Sequence, residues 1–219
     1  MKDITLIIPA KNEVESLPSV LDELSKFEYS IKVILEKNDL KTIESIKNKN
    51  CEIILQNGKG YGNAINNGIN ITDTSLFCIF NADGSFIPSE IETMLIKLKK
   101  ENADFVFASR YEKNAKSEDD TIITLIGNFF FTKIGNIFFK LPISDILYTF
   151  VLGKTLSVKE LNLKQNDFRL CVELPIKAKL LNMKIVSSPA HERARIGGKK
   201  KVNAIRDGFL ILLAMMKYF

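Results

Sequence analysis

This chain predicts an α/β fold with a mostly parallel central sheet flanked by helices, on three observations. Short apolar runs of strand length alternate with segments of helical period, the pattern of βαβ units. The most informative run, Leu76 to Pro88 (LFCIFNADGSFIP), passes from five apolar residues into Asn81-Ala82-Asp83-Gly84-Ser85. No internal repeat or low-complexity linker divides the 219 residues. One domain over 1–219 is therefore expected, with an apolar helical segment at 121–141. A basic loop and a short apolar C-terminal helix are expected over 191–219.

Taken in order, Ile4 to Ile8 reads as a buried strand ended by Pro9. Asn12 and Glu13 follow, and then a helix on Leu17, Val20, Leu21 and Leu24, started by Ser16 and Pro18. Ile31 to Leu35 is a second strand ending at Glu36, Leu40 to Lys47 a polar helix, and Glu52 to Leu55 a third strand. Gly58, Gly60 and Gly62 surround Lys59 between that strand and the next helix. Glycines there let backbone N–H groups approach an anion at a helix N-terminus; a flexible turn is the other reading. The stretch has neither the GK[ST] of a Walker loop nor the Rossmann spacing.

After the Leu76–Phe80 run comes a helix on Ile91, Met94, Leu95 and Leu98, then a strand from Ala103 to Ala108 ending in Ser109-Arg110-Tyr111. An arginine at a strand's C-terminal end can clamp a phosphate, and can equally form an ion pair. Glu112 to Asp120, with four acids and two lysines, reads as a mobile loop. Thr121 to Leu141 holds five phenylalanines interrupted by Gly127, Asn128, Gly135 and Asn136. It reads as a helix pair over the sheet, or as an apolar surface for a lipid-linked substrate. A strand-like stretch from Pro142 to Phe150, a helix from Leu170 to Leu181 carrying Glu173, and a strand from Ile185 to Ser188 complete the chain.

Composition narrows the function classes. Hydrophobic residues at 46% and charged residues at 26% fit a packed core and not disorder. Three scattered cysteines without CxxC argue for a reducing compartment, and the single His191 excludes a multi-histidine metal site. The N-terminus reads as a first strand and not a signal peptide, so the expected location is cytoplasmic, peripheral at the membrane face. No run reaches the roughly 18–20 apolar residues of a bilayer span. Between His191 and Arg206 six basic residues face one acid, Glu192, which implies an anionic partner: phosphate, an anionic membrane surface or nucleic acid. Nucleic acid is disfavoured, because no aromatic residues interleave the basic run.

Chemistry centres on Asn81, Asp83 and Ser85. Oxygen donors at the C-terminal end of a buried strand lie where open α/β sheets bind ligands, and they suit Mg2+ or Mn2+ holding a diphosphate. An Asn-Ala-Asp-Gly turn leaving a strand is the plain alternative.

The order of the motifs resembles glycosyltransferase family 2, most closely its dolichyl-phosphate (polyprenyl-phosphate) mannosyltransferase-like branch. The matching stretches are IPAKNE (Ile8–Glu13), GKGYGNA (Gly58–Ala64), NADGS (Asn81–Ser85) and ASRY (Ala108–Tyr111), together with Asp145, FRLCVELPIKA with Glu173, and ERARIGGKKKVN (Glu192–Asn203). The resemblance covers roughly residues 3 to 208 and implies a GT-A fold, a nucleotide-sugar donor and a divalent cation. It places Pro9, Ala10 and Glu13 against the nucleotide, Glu36 near the nucleobase, Lys59, Asn81 and Ala82 beside the donor, and Asp83 on the metal. Arg110, Arg193, Arg195 and Lys201 fall at basic positions for donor or acceptor phosphates.

A phosphate acceptor is already anionic, so inverting attack on the anomeric carbon needs charge neutralisation and alignment more than a base. For a hydroxyl acceptor Asp145 is the candidate base; its other role is structural, pairing with an arginine. Three departures from the family stand out: Asn81 for the first acid of its Asp-x-Asp motif, Lys37-Asn38-Asp39 in place of its acidic pair after the second strand, and Lys200 for a usual serine. The expected activity is transfer of a sugar to a polyprenyl phosphate. A degenerate relative that binds nucleotide or anionic lipid without turnover is the alternative, motivated by Asn81.

Overall fold

A computed structural model describes residues 3–197 and 201–218. The first three strands are β1 (Ile4–Ala10), β2 (Ser30–Leu35) and β3 (Glu52–Leu55), with α1 (Leu17–Leu24) and α2 (Leu40–Ile46) between them. α3 (Tyr61–Asn70), β4 (Leu76–Ile79), α4 (Glu90–Glu101) and β5 (Phe105–Ser109) follow. The rest comprises β6 (Lys116–Ser117), α5 (Ile122–Phe139), β7 (Val151–Lys154), α6 (Thr155–Glu160), α7 (Leu170–Leu180), β8 (Ile185–Pro189), β9 (His191–Glu192) and α8 (Ala204–Met216).

Seven strands form one sheet in the order β3-β2-β1-β4-β7-β5-β8, with β7 antiparallel to both neighbours and the other pairs parallel. The alternation of side chains along each strand divides the core into two layers. Ile4, Leu6 and Ile8 pack with α1 and α4 through Leu17, Leu21, Ile91 and Met94. Ile7 and Ile34 pack on the other face with Ile65 of α3 and Ile176 of α7. Helices thus cover both faces of a mostly parallel sheet, as the sequence predicted.

Several boundaries differ from the sequence reading. β1 runs through Pro9 to Ala10, which pair with Ile34 and Leu35 of β2. Pro9 is tolerated because its missing N–H lies on the β4 side, past the last bond of that ladder, from Phe80 N–H to the Ile7 carbonyl. Ser16 precedes α1, but its hydroxyl donates to Glu13 Oε2 at 2.8 Å instead of capping the helix. Pro142 to Phe150 is irregular; the strand begins at Val151 and runs antiparallel. The 112–120 loop is pinned where β6 pairs with β9.

Thr121 to Leu141 is not a helix pair. It holds one 18-residue helix, α5, capped by Thr121 and long and apolar enough, by length and composition, to cross a bilayer. Gly127 and Gly135 lie within it without breaking it; a Cβ at Gly135 would meet Ile146 and Leu141 at 3.0 Å, whereas Gly127 faces open space.

Candidate active site

β1 is flanked by β2 on one side and β4 on the other, so the chain winds outward in both directions from the β1–β4 pair. Such a reversal opens a crevice at the carboxyl ends of the strands. Asn81 to Ser85 leave β4 there. Asp83 Oδ1 accepts from the Ser85 N–H at 3.0 Å and the Ser85 hydroxyl at 2.7 Å, so Ser85 organises the carboxylate. Ala82 is buried beneath the turn. The Asn81 amide oxygen lies 3.5 Å from the Tyr61 hydroxyl, which also bonds Thr149 Oγ1 at 2.6 Å. Burial pushes the Tyr61 pKa far up, so it stays a neutral phenol. Its ring stacks on Phe168, centroids 5.0 Å apart. Sequence reasoning assigned no role to Tyr61, Thr149 or Phe168, although Tyr61 lay inside the quoted GKGYGNA stretch and Phe168 opens the quoted FRLCVELPIKA stretch; nothing local marked Thr149.

The segment after β9 lies across this turn like a strap. Arg193 N–H donates to the Ser85 carbonyl and Ile196 N–H to the Asp83 carbonyl, both at 2.9 Å. Ile196 fits over Gly84, where a Cβ would come within 2.5 Å of it. The strap carries Arg195, whose Nη2 is 2.9 Å from Asp119 and 3.6 Å from Asp83 Oδ2. The Asp119 hydrogen bond, with Asp83 and Glu13 adding charge, raises the guanidinium pKa further. Lys201 Nζ reaches Glu13 Oε1 at 3.0 Å. Lys199 and Lys200 lie outside the described residues.

On the far side of β1, a cavity of about 370 Å³ is lined by Glu36, Lys37, Asn38, Gln56, Asn57 and Lys59. Pro9 and Ala10 end β1 beside β2, one residue short of Glu36, and Lys11 Nζ holds Glu36 Oε1 at 2.8 Å. Asp39 accepts from the Asn12 N–H at 2.7 Å and from the Thr42 N–H, so this departure from the family pattern ties the β1 loop to α2.

Three expected roles are changed by what the side chains touch. Arg110 does not present a free phosphate clamp. Its Nε and Nη2 donate to Asp145 at 2.7 and 3.1 Å, and its Nη1 donates to Asp120 and Glu192 at 3.2 and 3.1 Å. Burial disfavours its charge, but Asp145 and Glu192 overcome that and keep it protonated. Asp145, the candidate base, is fully buried and takes its structural role, held by Arg110 and the Asn128 amide of α5. Arg193 is engaged by Glu23 at 3.1 and 2.9 Å and by the Phe86 carbonyl at 2.7 Å. Of the four basic residues expected on phosphates, Arg195 and Lys201 are the two that remain, beside Asp83 and Glu13.

The glycine loop also differs. Gly60 has φ +102°, and a Cβ there would sit 2.2 Å from the Asn166 carbonyl oxygen; one on Gly62 would sit 2.4 Å from that of Gln165. The Asn63 N–H donates to the Asn166 carbonyl at 3.0 Å. These two glycines thus admit the 165–167 loop, and part of the α3 N-terminus is occupied by protein. Glu173 holds that loop from within α7, accepting from the Lys164 N–H at 2.9 Å and the Gln165 N–H at 2.8 Å.

Among the described residues no three His, Cys, Asp or Glu side chains converge as a metal cage. The set present, one aspartate with an amide and a hydroxyl oxygen, suits a hard cation that takes one or two carboxylates and completes its shell with substrate phosphates.

Sheet order, flanking helices and crevice define an α/β protein of GT-A architecture. The family model described as glycosyl transferase family 2 matches residues 5–161, and the chain belongs to that family. An uncharacterised glycosyltransferase of Mycobacterium tuberculosis (strain H37Rv) is 23% identical over 210 residues, covering 96% of this chain and 94% of the relative. An uncharacterised protein of Methanocaldococcus jannaschii is also 23% identical, over 227 residues, with 99% and 93% covered. In structure, the chain is similar to glucosyl-3-phosphoglycerate synthase from M. tuberculosis, solved with Mn2+, UDP and glucosyl-3-phosphoglycerate. The TM-score is 0.73 and the identity 12%, over 98% of this chain and 79% of that one. Mannosyl-3-phosphoglycerate synthase from Rubrobacter xylanophilus gives a TM-score of 0.71 at 15% identity, over 98% and 72%. At such identities the structural likeness shows the fold.

Proposed function

We propose that the chain is an inverting transferase that moves a sugar from a nucleoside-diphosphate donor to a phosphate-bearing acceptor, with polyprenyl phosphate as that acceptor. The observation that carries this reading is the Asp83 turn at the β1–β4 crevice, overlaid by a strap that brings Arg195 and Lys201 to the acids of the site. The metal- and UDP-bound state of the glucosyl-3-phosphoglycerate synthase supports the donor half, and its phosphoglycerate-bound forms support an acceptor that carries phosphate.

Asp83, Asn81 and Ser85 are the residues that would hold Mg2+ or Mn2+, which when bound supplies positive charge to the departing diphosphate. The remaining chemistry belongs to the chain. The 36–59 cavity receives the nucleoside, with Glu36 and Lys59 at its rim. Arg195 and Lys201 exchange their carboxylate partners for the acceptor phosphate and align its oxygen behind the anomeric carbon. The new C–O bond forms as the bond to the diphosphate breaks, and the electron pair leaves with the nucleotide. A phosphate nucleophile needs no proton removed, which agrees with the engagement of Asp145, the candidate base, by Arg110.

The test is a thermal-shift panel of UDP, GDP, CDP and dTDP sugars with and without Mn2+, followed by product analysis with polyprenyl phosphate or phosphoglycerate. A metal-dependent shift for one nucleotide, lost in Asp83→Asn, is expected, with product formed on the lipid phosphate. No shift for any donor overturns the reading, and so does an inert protein that Asn81→Asp activates. Product on phosphoglycerate alone replaces the acceptor and leaves the donor half in place.

A further inference from the structure

α5 is built inside out. Its polar residues Asn128, Thr132 and Asn136 face the protein: Asn128 donates to Asp145, Thr132 Oγ1 accepts from the Ile146 N–H at 3.2 Å, and Asn136 bonds the Leu141 and Ile143 carbonyls at 2.6 and 2.8 Å. Its outward face is apolar, with Ile122, Ile126, Phe129, Phe130, Ile137 and Phe138 all exposed. A helix on the surface of a water-soluble domain shows the opposite arrangement.

α8 extends the surface. It packs against α5, where a Cβ on Gly208 would lie 3.8 Å from the Phe131 ring, and it leaves Ile205, Phe209, Leu213 and Met216 exposed. With Ile123 and Leu125, the two helices expose twelve large apolar side chains. At on the order of 100 Å² each they form a patch of roughly 1,000 Å², well above what a monomer ordinarily leaves in water.

The charges among these residues are one-sided. α5 and its C-cap carry Lys133 and Lys140 and no acid; α8 and its C-cap carry Arg206 and Lys217 against Asp207, whose carboxylate takes the Asn203 N–H at 2.7 Å. Lys133 lies beside the Phe129 ring, 5.4 Å from its centroid, with an aliphatic stem that can lie along an apolar surface while the ammonium reaches a polar boundary. Val202, just before α8, is exposed as well.

We infer that the α5–α8 face docks on the surface of an anionic lipid leaflet. An apolar strip bordered by lysine and arginine matches acyl chains below anionic headgroups. A second copy fits less well: a two-fold contact would set Lys133, Lys140 and Arg206 against like charges with no exposed acid on α5 to pair them. This goes beyond the transferase reading, and it holds whether or not the acceptor is a lipid.

The experiment is co-sedimentation of the full chain with vesicles of phosphatidylcholine alone or mixed with phosphatidylglycerol, without donor or acceptor, so that failure here leaves the transferase reading standing. Binding to the anionic vesicles is expected, weakening with salt. The Phe129→Ser/Phe138→Ser double variant should lower the partition coefficient on the order of 100-fold with its unfolding midpoint unchanged. The Lys133→Gln/Lys140→Gln pair should lower it roughly 30-fold on anionic vesicles only. Absence of vesicle binding overturns the inference, as does undiminished binding by the serine variant. A lipid-free dimer that the serine substitutions dissociate, read by light scattering, overturns it in favour of a second copy.

Discussion

Replacing Asp145 by Asn separates a structural acid from a catalytic base. The side chain is fully buried, and it accepts from the Arg110 backbone N–H at 3.2 Å, from Nε at 2.7 Å and Nη2 at 3.1 Å, and from the Asn128 amide. Asparagine keeps the volume but turns an NH2 toward donors that need an acceptor. Breaking a buried ion pair costs about 3–5 kcal/mol. Arg110 keeps Asp120 and Glu192, so the lower end, about 3 kcal/mol, is expected. For a domain of this size that is a fall in Tm of roughly 6–12 °C, leaving the protein folded at assay temperature. The assay is urea unfolding of both proteins, followed by transfer rates measured at equal distance below each midpoint. A rate within about tenfold of the parent is expected, because losing a general base would cost 10²–10⁴-fold. A variant of parental stability whose rate falls by that larger factor refutes the structural assignment.

Three further outcomes follow from the packing. Gly60→Ala places a Cβ 2.2 Å from the Asn166 carbonyl oxygen at φ +102°, so a loss of at least about 2 kcal/mol is expected; a parental midpoint would show that the 165–167 loop yields freely. Glu173→Gln leaves the backbone donors of Lys164 and Gln165 and the Lys177 ammonium (2.8 Å) sharing one acceptor, and should cost about 1–3 kcal/mol by urea titration. Burial raises the Glu192 pKa, although Arg110 pulls it down, so the native state binds its proton more tightly than the unfolded chain. Between the ordinary glutamate value of 4.5 and the raised native value, this group makes stability fall as pH rises; Glu192→Gln should flatten that limb of the pH–stability curve, and an unchanged slope would locate the effect elsewhere.

The parts legible in the sequence were those that local pattern controls. The apolar runs of β1, β2 and β4 and the Leu17-Val20-Leu21-Leu24 stripe announce which residues are buried, because burial in a strand or amphipathic helix repeats at a period the chain itself displays. The Asn81–Ser85 turn at the carboxyl end of β4 was readable for the same reason, since a strand ending in oxygen-bearing side chains is a local event.

What only the tertiary structure decided were pairings between distant residues. Arg110 meets Asp145, 35 residues away, and Glu192, 82 away; until those carboxylates are placed, a phosphate clamp and a buried ion pair have the same sequence. Gly60 and Gly62 looked like an anion cradle because their use depends on the 165–167 loop, about a hundred residues on. α5 looked like two helices because Gly127, Asn128, Gly135 and Asn136 break a helix in isolation; folded, Asn128 and Asn136 find partners around Asp145 and Leu141. Its outward phenylalanines follow from that same choice. Hydrophobic period fixes which residues share a face, but which face turns inward is decided by where the buried polar groups find their hydrogen bonds.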